Sequence, residues 1–513
     1  MNTDRLRQDL PTDPKPDELS PILVAGATGY VGDRLVPRLL SRGYRVRAMS
    51  RSSNKLNDRH WSDHPRLETI AADALNEEEL IEAADGCQTA FYLIHSLYTA
   101  GKEFEDADRR AAENMVAAAN KANLKRLIYL GGLGRPGDDL SPHLASRAEV
   151  AGIFQRSEVT TTILRAGIII GSGSASFEIL RYLVERLPVM ITPRWVRTKT
   201  QPIGIRNVLS YLIGVLESPE AENESYDIGG QDVLTYQELL QLYAERAGLP
   251  RRWVIPVPVL SPTLSSGWVH LVTPVPGAVA RPLIEGLRNP AVCQESTIQD
   301  LIPVKIQSAD RAIELALKRI NEGQVESHWS DAGSLPAEAS QPGDPDWAGG
   351  TILRDCREII VDNEPECLWD TIVGVGGKSG WFGIDVLWKI RGWMDRLIGG
   401  VGHTRGRRDP QELQIGDALD FWRVLDMDRP HRLTLLAEMK IPGTATLSFE
   451  LEPLGEDQLV CRQTARFEPS GLLGLVYWYG IFPIHSLVFT GMLKEIASQS
   501  NVNIHQKPTK IEA

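Results

Sequence analysis

Hydrophobic positions follow two different rhythms along this chain. Between Pro21 and Ile170, short apolar runs alternate with longer stretches of helical character. Pro21–Ala25, Tyr44–Ser50, Arg66–Ala71, Thr89–Ile94, Arg126–Leu130 and Thr161–Ile170 are apolar runs without strict alternation, the pattern of strands buried on both faces. Asp33–Ser41 and the alanine-rich Glu103–Asn123 fall between them as helices. Apolar strands separated by helices predict a parallel sheet covered on both sides, a doubly wound α/β fold.

The later rhythm has period two. Thr444–Glu452 puts Ala445, Leu447, Phe449 and Leu451 on one face, and Thr444, Thr446, Ser448 and Glu450 on the other. Gln458–Phe467 repeats this, as do Ala418–Leu425 and His431–Lys440 more loosely. Antiparallel strands with one dry face are predicted. Apolar helices at Pro365–Val375, Ile384–Leu397 and Leu472–Ala497 flank them. A curved sheet gripping the last helix, an α+β helix-grip arrangement, would cover the dry face. Between the two rhythms, Asn321–Gly350 holds six carboxylates, three prolines and no Lys or Arg, the composition of a tether. The expected organisation is a polar tail over 1–18, a first domain over 19–320, an acidic linker over 321–350, a second domain over 351–500 and a tail over 501–513.

Composition narrows the classes. With 513 residues, 42% hydrophobic and 24% charged, the chain is neither disordered, collagen-like nor a disulfide scaffold. A formal charge of −12 leaves no broad basic footprint, so nucleic acid is not an expected partner. Five cysteines without a C-x-x-C pair fit a reducing cytoplasm, and Met1–Ser20 lacks the apolar core of a signal peptide. Pro469–Leu493 has 25 residues without Lys, Arg, Asp or Glu, long enough to span a hydrocarbon layer. Gly471, Gly474, Gly480, Gly491, Pro483 and His485 weaken such a span, and a gripped helix must itself be apolar. A soluble second domain is the favoured reading, with membrane association the lesser one.

The clearest chemistry follows the first strand: Gly26-Ala27-Thr28-Gly29-Tyr30-Val31-Gly32, then a helix. Such a turn leaves backbone N–H groups at a helix N-terminus, aimed at a pyrophosphate. Gly26 permits the turn, Gly29 the approach of phosphates, and Gly32 close helix–strand packing. The second strand ends Met49-Ser50-Arg51-Ser52-Ser53 without the carboxylate that selects NAD, and Arg47 lies just before. A guanidinium can clamp a 2′-phosphate, so NADP is the expected cofactor, with NAD the alternative and a solvated arginine the bland one.

With these motifs the chain resembles a short-chain dehydrogenase/reductase of the extended or atypical type, Thr28, Gly29 and Gly32 fitting its T-G-x-x-G-x-x-G form. It is similar, more closely, to a bacterial subgroup of atypical members fused to a C-terminal domain of the START/polyketide-cyclase kind. Leu164–Phe177, Pro193–Arg197, Ala418–Arg423 and Tyr477–Met492 carry that similarity. The resemblance implies that Asp73 of Ala72-Asp73 meets adenine. It also implies that Phe91–Ser96 passes beneath the cofactor, placing His95 near the nicotinamide. Family members carry a Tyr-x-x-x-Lys pair and a hydroxyl ending strand five. Here strand five ends Tyr129-Leu130-Gly131-Gly132, and the pair becomes His143 and Arg147. Arg147 then orients the ribose and His143 serves as an acid near neutral pH, unless both are ordinary residues at a helix start.

Weaker signals remain. His60 and His64 have helical metal spacing but no third ligand nearby, so no metal site is expected. Trp268, His270 and Leu271 belong to an apolar, proline-rich stretch that either lines a substrate pocket or fills a lobe core. Arg405, Arg407 and Arg408 form a short basic run, and Trp381, Trp388 and Trp393 are either an interfacial belt or core anchors. The expected function is an NAD(P)H-dependent oxidoreductase acting on an apolar carbonyl or enone. The competing class is a non-catalytic redox sensor or lipid-binding regulator.

Overall fold

The computed structural model describes residues 20–57, 59–95, 104–134, 140–257, 277–317, 349–375, 413–414, 416–455 and 457–511. The chain divides into two compact units, residues 1–350 and 351–513.

The first unit is built on β1 (Ile22–Ala25), β2 (Val46–Ser50), β3 (Leu67–Ala71), β4 (Thr89–Tyr92), β5 (Arg126–Gly132), β6 (Thr160–Ala166) and β7 (Ser225–Ile228). They form one parallel sheet in the order β7-β6-β5-β4-β1-β2-β3. The connection reverses direction between β1 and β4, where open sheets of this kind leave a crevice at their carboxyl ends. Ile22 and Val24 pack into a core on one face, and Leu23 and Ala25 into a core on the other. Two buried faces explain why the strand lacks alternation.

The helices near the crevice are α1 (Tyr30–Ser41), α2 (Glu77–Ala84), α3 (Phe104–Lys121), α4 (Pro142–Gln155), α5 (Ala175–Arg186) and α6 (Gly277–Gly286). Asn76 caps α2, accepting from the backbone of Glu78 and Glu79, and Ser141 caps α4 ahead of Pro142. Ala111, Ala112, Ala118 and Ala119 are among the buried positions of α3, small enough for neighbouring elements to approach closely.

Two sequence expectations change here. Thr161–Ile170 is not one strand: β6 stops at Ala166, and Ile169–Ile170 pairs separately with Ile203–Gly204. The sheet also has a seventh strand, β7, whose four residues are too short and polar to announce themselves. Its Asp227 is buried because Arg165 of β6 meets it at 2.7 Å. Of the expected linker, Gly349 and Gly350 donate backbone N–H groups to the buried Glu178 carboxylate at 2.8 and 3.3 Å. Residues 321–348 lie outside the described residues.

The second unit is an antiparallel sheet of β8 (Leu353–Asp362), β9 (Ala418–Leu419), β10 (Trp422–Asp428), β11 (Arg432–Ala437), β12 (Gly443–Leu454), β13 (Gln458–Pro469) and β14 (Ile504–Ile511). Their order is β9-β10-β11-β12-β13-β8-β14. The helices described are α7 (Pro365–Val373) and α8 (Gly471–Gln499). Val488, Phe489, Met492, Leu493 and Ile496 of α8 share a core with Leu447, Phe449 and Leu451. Further towards its start, Trp478 stacks on Phe467 with centroids 5.6 Å apart.

The expected tail over 501–513 is a correction: residues 504–511 are an edge strand paired with β8. It escaped notice because it buries no continuous face; backbone groups pair it with β8, and His505 Nε2 adds a contact at 2.7 Å to the Asp362 carboxylate. β8 was also missed, since Asp355 and Arg357 occupy inward positions where the rhythm calls for apolar residues. No single described helix is long and apolar enough to cross a membrane. Gly471–His485 and Leu487–Gln499 pass by length and composition only as a pair, bent by 45°. Pro483 lies inside α8, where it removes a hydrogen bond and opens the helix. Ile384–Leu397, the three tryptophans Trp381, Trp388 and Trp393, Arg405–Arg408, and Trp268, His270 and Leu271 lie outside the described residues.

Candidate functional site

The glycine turn sits where β1 meets α1. Gly26 has φ +91°, a conformation that side-chain-bearing residues rarely adopt. A Cβ on Gly32 would lie 2.2 Å from the Gly26 carbonyl oxygen and 2.9 Å from the Ala27 Cα, so the turn closes only around glycine. Gly29 is the N-cap of α1, and no side chain caps that end. Thr28 Oγ1 is 2.9 Å from Ser50 Oγ, which ties the turn to the end of β2. Gly26, Thr28, Gly29, Tyr30 and Val31 face a cavity of about 1080 Å³. Ala27 and Gly32 stand behind them as packing.

At one end the cavity is basic. Arg51, Ser52 and Asp73 line it, together with Lys55 and Arg59. Arg51 is exposed, whereas Arg59 is buried and donates to the Thr28 carbonyl at 3.1 Å. The Asp73 carboxylate accepts from the Leu75 N–H at 3.0 Å. Arg47 is not part of this wall. It pairs in register with Glu68 on β3 and donates to that carboxylate at 2.8 Å and to the Ala83 carbonyl at 3.0 Å. Lys55 and Arg59 were missed, although two cations directly after the second strand were a readable sign.

The other end is mostly apolar, with Leu93, Ile94, Ala107, Leu130, Ile169 and Leu283 on its walls. Into it come His95 from the end of β4, and His143 and Arg147 from the first two turns of α4. The two imidazole rings lie 5.0 Å apart. His95 Nδ1 is 3.0 Å from Oδ2 of Asp108, and Ser146 Oγ donates to the same oxygen at 3.1 Å. Asp108 escaped the sequence reading. Its signal was position: it shares the buried stripe of α3 with Ala111, Ala112 and Met115, where a carboxylate needs a reason.

Arg147 reaches the wall but is engaged there. Its terminal nitrogens donate to the Leu130 carbonyl at 2.6 Å and the Ile94 carbonyl at 3.2 Å, strapping the ends of β5 and β4 together. The guanidinium also lies over the Tyr129 ring, 5.0 Å from its centroid. The expectation that His143 is an acid near neutral pH is corrected. Burial, the neighbouring His95 ring and the Arg147 charge hold its pKa well below the ordinary 6.5, so the ring is uncharged at pH 7. Burial and Arg147 lower His95 too, against the raising influence of Asp108. A hydroxyl at Gly131 has no room, because a Cβ there would lie 2.9 Å from the Tyr129 ring.

Comparison with known proteins bears on this geometry. Residues 26–181 match a family described as NAD(P)H-binding. The first unit is thus a parallel-sheet, Rossmann-like α/β domain that matches an NAD(P)H-binding family. Residues 347–492 match a protein family of unknown function (DUF2867). The chain is 31% identical over 121 residues to a 3-beta-hydroxysteroid dehydrogenase of Mycolicibacterium neoaurum, covering 22% of this chain and 32% of that one. It is 23% identical over 232 residues to the photosystem II assembly factor Ycf39 of Trieres chinensis, covering 44% and 69%. The match thus spans about a third of the length of the steroid dehydrogenase. Among solved structures, the triphenylmethane reductase of Citrobacter sp. aligns with a TM-score of 0.49 at 20% identity, over 58% of this chain and 99% of that one. The NADPH-dependent quinone oxidoreductase QOR2 of Escherichia coli aligns with a TM-score of 0.47 at 18% identity, over 57% and 98%.

The residues of this Rossmann domain fit a dinucleotide. The uncapped N-terminus of α1 offers backbone donors, and the space that a Cβ on Gly32 would need is already taken by backbone. Among the described residues, no group of three or more His, Cys, Asp or Glu converges as a metal site.

Proposed function

We propose that the first unit is an NADPH-dependent reductase of an apolar carbonyl or enone compound. The observation that carries this is the two-ended cavity: a glycine turn with Arg51 and Lys55 at one end, uncharged imidazoles in apolar walls at the other. When bound, the reduced nicotinamide supplies a hydride. The α1 N-terminus holds the pyrophosphate, Arg51 grips the 2′-phosphate beside Ser52, and Asp73 contacts the adenine. Arg147 fixes the carbonyl ends of β4 and β5 and orients the ribose through its remaining N–H groups. Leu93, Ile169 and Leu283 exclude water from the substrate. His143, uncharged, orients the substrate oxygen by hydrogen bonding rather than donating as an imidazolium.

Incubating the full chain with NADPH and a panel of hydrophobic ketones, quinones and enones, and following loss of the reduced nicotinamide, tests this. Turnover of at least one class is expected. Tight NADPH binding with no turnover of any would favour the sensor reading, for which the closed space at Gly131 speaks. For the second unit, the antiparallel sheet packed against one long helix supports a helix-grip reading, and an apolar ligand is the partner class that suits it.

A further inference from the structure

The histidine with the stronger claim to proton transfer is not the one at the position of the family's tyrosine. We infer that His95, held by Asp108, exchanges the proton with the substrate oxygen at its Nε2; this rests on the reductase reading of the same cavity.

Three features lead there. The Asp108 carboxylate is sealed in α3 and meets His95 Nδ1 at 3.0 Å, which fixes the ring and makes Nδ1 the protonated nitrogen. That leaves Nε2 with its lone pair. This atom is buried and has no hydrogen-bond partner among the described residues, and the residue that carries it lines the apolar end of the cavity. A buried acceptor left without a partner costs about 1–3 kcal/mol, so such an atom calls for a ligand. His143, by contrast, has no carboxylate at hydrogen-bond distance among the described residues. Its Nδ1 is equally buried and lacks a partner there, 5.0 Å ring to ring from His95. Two such histidines, neighbours on the wall of one cavity, suit a single oxygen, His143 orienting it and His95 exchanging its proton.

The chemistry balances in either direction. In reduction, the hydride from the nicotinamide forms the C–H bond at the carbonyl carbon. The C=O π pair becomes an O–H bond with the proton from protonated His95 Nε2, and the neutral ring keeps Nδ1–H on Asp108. Solvent then restores the proton. In oxidation of an alcohol, the neutral ring takes the O–H proton at Nε2 while hydride leaves carbon for the oxidised nicotinamide. The charged and titratable groups around the cluster are Asp108 from α3, His143 and Arg147 from α4, and Tyr92 and Tyr129 from β4 and β5. Asp108 stabilises the charged ring and Arg147 opposes it. The reductive rate should therefore fall as pH rises, and the oxidative rate should climb.

The test uses the full chain labelled with 15N at histidine, the His95 signal being assigned by its loss in His95→Gln and its shift in Asp108→Asn. At neutral pH the wild type should show a protonated Nδ1 and a bare Nε2, and Asp108→Asn should lose that preference. In turnover, His95→Gln should lower kcat by about 10²–10⁴-fold while NADPH affinity stays unchanged. Asp108→Asn should move the reductive pH profile to lower pH. A neutral wild-type ring that carries its proton on Nε2 rather than Nδ1, or full turnover in His95→Gln, overturns the assignment. Failure of the reductase reading looks different: wild type that binds NADPH and reduces nothing. In that event the tautomer and its dependence on Asp108 still decide the role of His95, without any variant having to turn over.

Discussion

Each unit carries a seven-stranded sheet, and each places charged groups out of bulk water, but in different parts of the sheet. In the parallel sheet, the buried Arg147, His95 and the glycine turn cluster at the carboxyl ends of the strands, around a cavity of about 1080 Å³. In the antiparallel sheet, Asp355 and Arg357 sit mid-strand on β8, on the dry face. Arg357 lies in register with Gln463 on β13 and donates to Thr490 of α8 at 3.0 Å and to Asp355 at 3.2 Å. Parallel strands end together, so helix N-termini and loose carbonyls converge where a ligand can use them. Antiparallel strands share no such end. A charge in the middle of one must be satisfied by the fold itself. The first arrangement therefore serves binding, and the second serves folding.

The largest expected effect tests that division directly. Removing one partner of a buried ion pair typically costs about 3–5 kcal/mol, because the other charge is left buried alone. Arg357→Ala should destabilise the second unit by about that amount, read as faster hydrogen exchange over β12 and β13. The same exchange over β1 to β6 should not change. Unaltered exchange in β12 would mean that Asp355 and Arg357 contribute nothing net, and the division would fail.

A pH scan sharpens the same point. His485 packs beside Trp478, and burial with the Arg357 charge pushes its pKa down from 6.5 to about 4, against a raising pull from Asp355. In the unfolded chain the ring takes a proton below about pH 6.5, while in the folded unit it does not until about pH 4. Stability is thus fully present above the unfolded value and is lost as pH falls through that window, by about 3 kcal/mol at most. His485→Gln should flatten this loss. A wild-type second unit equally stable at both ends of the window would show that the ring is hydrated.

How far the sequence disclosed these two arrangements follows from the same physics. β1 to β6 were legible because strands covered on both faces read as short, mostly apolar runs without alternation, and Gly26 and Gly32 because backbone contact demands glycine. The paired faces of β12 and β13 were legible through alternation. β8 was not, since Asp355 and Arg357 break the rhythm and their partners Gln463 and Thr490 lie more than a hundred residues away. β14 was not, because an exposed edge strand needs no rhythm. At the site, His95, Arg51 and Asp73 were picked out by position, whereas Asp108 was hidden in a helix and its link to His95 exists only once α3 packs. The uncharged state of His143 is likewise a product of burial, which no spacing encodes.

A smaller effect is expected at Arg51, on the open side of the comparison. A charge-assisted contact to a phosphate contributes about 1.5–3 kcal/mol, so Arg51→Ala should weaken NADPH binding by roughly ten- to hundred-fold. NADH binding, which lacks the 2′-phosphate, should be unaffected. Because Arg51 is exposed, the melting temperature without cofactor should also hold. Calorimetric titration of both cofactors decides it: equal losses for the two would place Arg51 elsewhere than at the 2′-phosphate.

The smallest effect comes from one substitution made in both units. At Gly480, in the interior of α8, a Cβ meets no atom within 4 Å, and the residue is exposed. Alanine there restricts the unfolded backbone and suits the helix, so Gly480→Ala should raise stability by about 0.5–1 kcal/mol. At Gly32, also helical, the same helix preference operates. The new methyl group, however, would lie 2.2 Å from the Gly26 carbonyl oxygen, and only the turn itself can move away. Gly32→Ala should therefore lose cofactor binding and stability together, the opposite sign for the same change. Thermal melts of the two variants, with and without NADPH, give the comparison. If Gly32→Ala melts at or above wild type and still binds, α1 and the turn are not locked against each other. The fit of that turn to a pyrophosphate would then owe nothing to close packing.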